Sequence, residues 1–96
     1  GPLAVMVAGK LMDRLGMFVN FAGKVAETSI GSAAVAHVAT ALPQIDWDTS
    51  LTNQYLAGDV VIDPIIIRDG RVRAPDSPGL GVTPDERHLS RYRNIG

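Results

Sequence analysis

The chain has 96 residues, a net charge of −1 and no cysteine. That length allows one small domain at most, and so little charge offers no electrostatic basis for a nucleic-acid or anionic-membrane partner. Disulfides and thiolate-bound metals are excluded, and 46% hydrophobic against 20% charged residues is the composition of a globular chain.

Residues 2–15 are predicted to be helical. Pro2 suits a first helical position, Leu3, Val7, Leu11 and Leu15 share one face, and Gly16 suits a C-terminal stop. Met6, Met12 and Met17 read as gap-filling core residues. Lys10, Asp13, Arg14 and His37 interrupt the apolar runs, so no membrane span is expected. No basic region precedes the first apolar stretch, so no cleavable leader is expected, and the location expected is cytoplasmic.

Residues 17–21 have the apolar and aromatic composition of a short buried strand. Thr28-Ser29 then offers an N-cap to an alanine-rich helix over 29–41, ended by Leu42-Pro43. Lys24 and Glu27 lie on the loop between strand and helix. Loops that leave the C-terminal ends of parallel-type strands are where α/β folds place chemistry. The plainer alternative is a surface loop carrying two charges. His37 reads as a hydrogen-bonded structural residue rather than a catalytic one.

Residues 44–59 are polar and read as irregular, anchored by Trp47, Leu51 and Tyr55. Asp46 and Asp48 fit turn and cap roles better than a cation site. Val60–Ile62 reads as a short strand, and residues 65–74 as a hairpin about a type I′ turn at Asp69-Gly70. Pro75–Gly81 reads as a rigid loop without the Gly-Lys-Ser/Thr ending of a phosphate loop. Thr83-Pro84-Asp85-Glu86 predicts a capping box with Thr83 at the N-cap, opening a helix to about Tyr92. Arg87, Arg91 and Arg93 are expected on its solvated face. The strand at 17–21 has no evident partner, so its edges would carry unpaired backbone groups. The chain is therefore expected to be the last part of a larger α/β domain, covered by another polypeptide or by further residues of its own.

The segment Ala22-Gly23-Lys24-Val25-Ala26-Glu27-Thr28-Ser29-Ile30-Gly31-Ser32-Ala33-Ala34 resembles the eighth-strand motif of the muconate-lactonising and mandelate-racemase branch of the enolase superfamily. The similarity continues through Ala41–Trp47, Ile67–Val72, Pro75–Val82 and Arg91-Tyr92, so it covers nearly the whole chain in order. The resemblance implies the C-terminal part of a modified (β/α)7β TIM-type barrel, an α/β fold. Residues 1–47 would be its last helix-strand-helix, and residues 48–96 a tail whose hairpin returns to an α+β capping domain.

The implied activity is that of a metal-dependent racemase, epimerase, cycloisomerase or dehydratase. Such enzymes abstract the proton α to a carboxylate and stabilise an enediolate. The resemblance implies magnesium as cofactor, with ligands on strands outside this segment, a small carboxylate substrate and a homo-oligomer. The rest of the barrel and cap would be the partner, and the 96 residues alone are expected to be inactive. Glu27 matches the family's acidic position on the eighth strand and is the candidate catalytic residue. Lys24 departs from the family pattern, where a small residue or Cys is common. It is the candidate substrate-binding residue, with an ion pair to Glu27 as the alternative. A different class of function, a non-catalytic subunit that completes a partner barrel, shares the same fold.

Overall fold

A computed structural model describes residues 1–93. Helix α1 spans Pro2–Arg14, with Pro2 at its start and Leu15 as C-cap. Gly16 follows at φ 67°, where a side chain would meet the backbone. Its N–H reaches Asp13 O at 3.1 Å and the Met17 N–H reaches Met12 O at 3.0 Å, the paired bonds of a Schellman ending.

The apolar stripe of α1 is not its packed face. Leu3, Val7, Leu11 and Leu15 are exposed, and Leu3 retains 79% of its accessible area. The helix instead meets helix α2, Ser29–Ala41, through buried Gly9, whose missing side chain leaves room for Leu42.

Strand β1 is Asn20–Ala22, shorter and later than the stretch predicted, and it does have a partner. Trp47–Ser50, expected to be irregular, forms β2 and runs parallel to it. Asn20 lies opposite Trp47 and Phe21 opposite Thr49, so Asp48 is an extra residue in β2. The Asn20 amide covers this bulge by donating to the carbonyls of Trp47 (2.9 Å) and Asp48 (3.2 Å). A polar Trp-Asp-Thr-Ser run carries little strand signal of its own; its conformation is set by pairing. Among the expected anchors, only Leu51 is buried, while Trp47 (63%) and Tyr55 (79%) are exposed. Trp47 instead tilts against exposed Phe18, with ring centroids 6.1 Å apart.

Leu51, Ala33 and Ile65 form the centre of the core, with Val35, Ile67, Val72, Leu80 and Val82 packed around them. The Asp69-Gly70 turn forms as predicted, with φ of 50° and 68°, closed by reciprocal Arg68–Arg71 backbone bonds of 2.9 and 2.8 Å. Beyond that bridge no ladder develops, so the expected hairpin is a turn with extended arms. Val61 makes an antiparallel bridge to Pro84.

That bridge keeps Thr83 and Pro84 extended and displaces the expected capping box. Helix α3 is Glu86–Tyr92, and Asp85, not Thr83, is its N-cap. The Asp85 carboxylate accepts from the N–H groups of Arg87 (2.9 Å) and His88 (3.3 Å). The His88 backbone bond is the main influence holding its pKa below the ordinary 3.8, opposed by desolvation and helped by the Arg87 backbone and by the charges of His88 and Arg87. A depressed carboxylate stabilises the fold above its unfolded pKa and loses that contribution as pH falls through the folded value. Amide-exchange protection of Arg87 and His88 is therefore expected to fall as pH drops below 3.8. Asp85→Ala should remove that dependence.

The accessible surface is 7146 Å². A folded monomer of 10.2 kDa exposes about 5,300 Å². The radius of gyration, 14.6 Å, exceeds the roughly 12.5 Å of a self-contained domain of this length. Large apolar side chains stand open on α1, on Met17-Phe18 and at Trp47, and also at Val25, Tyr55, Ile62, Ile66 and Tyr92.

Candidate functional site

Beyond β1 the chain makes one more sheet bond, Gly23 N–H to Ser50 O at 2.9 Å, and then turns. Residues 24–27 form the turn: the Glu27 N–H points to Lys24 O at 3.4 Å, and Ala26 takes a positive φ of 62°. A left-handed alanine costs on the order of 1 kcal/mol, so something outside the turn holds it. That is Thr52, whose hydroxyl donates to Lys24 O (2.5 Å) and accepts from the Glu27 N–H (3.3 Å). One side chain from the segment after β2 thus fixes both ends of the turn.

The two candidate residues leave this turn differently. Lys24 is exposed, as is Val25. Glu27 is half-buried, and its Oε2 is shielded without a hydrogen-bond partner among the described residues. The two do not form an ion pair; among the described residues the recorded pair is His88 Nδ1 with Asp85 Oδ2 at 3.2 Å. The structure therefore places Lys24 and Glu27 on one turn without joining them.

Helix α2 begins at the next residue but one. Thr28 is its N-cap by backbone geometry, yet its side chain caps nothing. The cap comes from Asp59, whose carboxylate accepts from the Ser29 N–H (3.0 and 3.1 Å), the Ser29 hydroxyl (2.5 Å) and the Val60 N–H (2.7 Å). Ser29, fully buried, also accepts from the Ile65 N–H (2.8 Å) and from Asn53 Nδ2 (3.2 Å). Asn53 in turn donates to Ile65 O at 2.7 Å. Sequence reading missed this network, because Asp59 caps a helix thirty residues away and no local pattern announces that.

His37 is structural, as expected: its Nε2–H donates to Leu80 O at 3.0 Å and ties α2 to the Pro75–Gly81 loop. Asp46 accepts from the Val19 N–H (2.7 Å) and from Gln44 (2.7 Å), the cap role expected of it. Arg87, Arg91 and Arg93 are exposed. No three His, Asp or Glu side chains converge on a metal-sized site among the described residues. No helix there is long and apolar enough to cross a membrane.

A parallel β-α-β unit with an acidic group at the C-terminal end of its first strand is an α/β arrangement used by barrel enzymes. The family model for enolase C-terminal domain-like proteins matches residues 2–88, and the chain belongs to that family. It is 36% identical over 93 residues to muconate cycloisomerase 1 of Pseudomonas putida, an alignment covering 96% of this chain and 24% of that protein. Its fold matches the muconate lactonizing enzyme of Klebsiella pneumoniae with a TM-score of 0.84 at 28% identity, over 98% of this chain and 26% of that one. It also matches an enolase from Pseudomonas fluorescens with bound magnesium, potassium and tartrate, with a TM-score of 0.82 at 27% identity, over 95% and 22%. The chain thus spans about a quarter of the length of the relatives it matches.

Proposed function

We propose that this chain closes the barrel of an enolase-superfamily enzyme that moves the proton α to a carboxylate, with a cycloisomerase of muconate-like substrates as the leading activity; there, opening of the lactone removes the α-proton and closure of the diene adds it. The observation that carries the reading is the shielded, unpartnered carboxylate of Glu27 at the C-terminal end of β1, in a chain of this family. In the proposed enzyme β1 and β2 are neighbouring barrel strands joined by α2, and α1 is the helix before β1. A (β/α)7β barrel has no helix after its closing strand, so β2 rather than β1 takes that place, one strand later than the resemblance implied. The barrel part, expected to end at residue 47, is extended here to Ser50 because β2 pairs parallel with β1, and the residues after it brace the last loop before completing the capping domain. The open apolar surface on α1 and at Phe18 and Trp47 supports this, because the rest of a barrel would cover it. A non-catalytic subunit completing a partner barrel would use the same face. Metal-bearing strands in the same polypeptide would decide between the two readings.

Within the proposed site Glu27 offers a hydrogen-bond acceptor and a fixed negative charge to a catalytic cation or a substrate proton. Lys24, free of Glu27, offers its ammonium to a substrate carboxylate. The described residues do not fit a resident metal, so magnesium, proposed for the whole enzyme, would have its ligands elsewhere. A homo-oligomer is proposed for the complete protein.

The test is turnover of muconate by the full-length protein, followed as loss of the diene absorbance. No turnover, together with no exchange of an α-proton in any carboxylate tried, would overturn the reading. Lys24→Ala is expected to raise KM about tenfold with kcat largely kept, the effect of losing one charged hydrogen bond. An unchanged KM would assign Lys24 to the surface.

A further inference from the structure

Glu27 is flanked at equal spacing by two glycines, Gly23 four residues before it and Gly31 four residues after. Gly23 ends the β1–β2 pairing and Gly31 lies in the first turn of α2. Neither is needed for its backbone, since the positive-φ glycines among the described residues are Gly16, Gly70, Gly79 and Gly81. What both supply is room, and the same group fills it. A Cβ on Gly23 would lie 2.6 Å from Glu27 Oε2. A Cβ on Gly31 would lie 3.1 Å from Glu27 Cδ and 3.3 Å from Oε2.

Gly31 also carries an intrinsic penalty, because glycine inside a helix is worse than alanine by about 1 kcal/mol. The site accepts that penalty at the position where a methyl group would press on the carboxylate. No hydrogen bond among the described residues orients Oε2, and the space left by the two glycines is where it lies. The backbone of Glu27 is fixed separately, by the Thr52 hydroxyl.

We propose that Gly23 and Gly31 are positioning residues, which together form a niche that holds the Glu27 carboxylate in place at the C-terminal end of β1. The proposal rests on the reading of Glu27 as the acidic group of the candidate site. It assigns the glycines a part in the reaction through Glu27 and not through stability. A displacement of about 1 Å in a reacting group costs up to about a hundredfold in rate.

The experiment is a double-mutant cycle in the full-length enzyme, with a crystal structure of Gly23→Ala alongside. Gly23→Ala is expected to displace the Glu27 carboxylate, because the atom it meets is the free end of a flexible side chain. It should lower kcat for muconate by about ten- to a hundredfold, with KM and melting temperature nearly unchanged. In a Glu27→Gln background the same substitution should cost no further kcat. Gly31→Ala provides a second variant with a milder displacement and a smaller loss, should Gly23→Ala fold poorly. A carboxylate that stays in place in both variants, or a kcat loss that persists in the Glu27→Gln background, would overturn the niche. A Glu27→Gln enzyme with full kcat would instead sink the reading of Glu27, while the crystal structure still decides whether the glycines place its carboxylate.

Discussion

Glu27→Gln in the complete enzyme is expected to lower turnover by about 10²- to 10⁴-fold while changing unfolding free energy by less than about 1 kcal/mol. The substitution keeps the size and shape of the side chain, so the space between Gly23 and Gly31 stays filled. It removes the charge and the ability to take a proton. Stability should hardly notice, because Oε2 makes no hydrogen bond among the described residues that an amide would forfeit. Steady-state kinetics and urea unfolding on the same preparation separate the two effects. Equal losses in both would mean that Glu27 serves the fold and not the chemistry.

Ser29→Ala is expected to do the reverse, destabilising the enzyme by about 3 kcal/mol. The hydroxyl donates to Asp59 and accepts from the Ile65 N–H and Asn53 at a fully buried position. Alanine leaves the Ile65 N–H without its acceptor in the core, and an orphaned buried donor alone costs about 1–3 kcal/mol. The Asp59 cap of α2 also loses one of its bonds. Denaturant unfolding gives the magnitude, and amide exchange at Ile65 gives the location. A loss below about 1 kcal/mol would show that water replaces the hydroxyl.

What could be read from the sequence were the features with local causes. Both long helices were legible from apolar spacing and from Gly16 and Leu42-Pro43, and α2 has the boundaries expected of it. The Asp69-Gly70 turn was legible because its dihedrals are written in two adjacent residue types. The turn with Lys24 and Glu27 was found from position and resemblance. Features set by distant residues were not legible. β2 is a strand because Asn20–Ala22 lies beside it, and the α2 cap sits at Asp59. α3 starts late because Val61 takes Pro84 into a bridge. The Leu3–Leu15 stripe was correctly seen as apolar, yet it does not face this chain's own core. The niche at Gly23 and Gly31 had a trace in the sequence, two glycines four residues either side of an acid, but nothing there tells a space-making glycine from a turn-making one.

Two side chains reach from the tail to the segment after β1: Thr52 to the Lys24–Glu27 turn, and Asp59 to the head of α2. They make the halves of this segment poor candidates for independent exchange. A chimera that grafts the barrel end of one relative onto the tail of another inherits a working turn only if the hydroxyl and the carboxylate travel with it. Recombination breakpoints between residues 31 and 52 should therefore yield slow enzymes where the donor tail lacks a hydroxyl at the position of Thr52, and less stable ones where it lacks a carboxylate at that of Asp59.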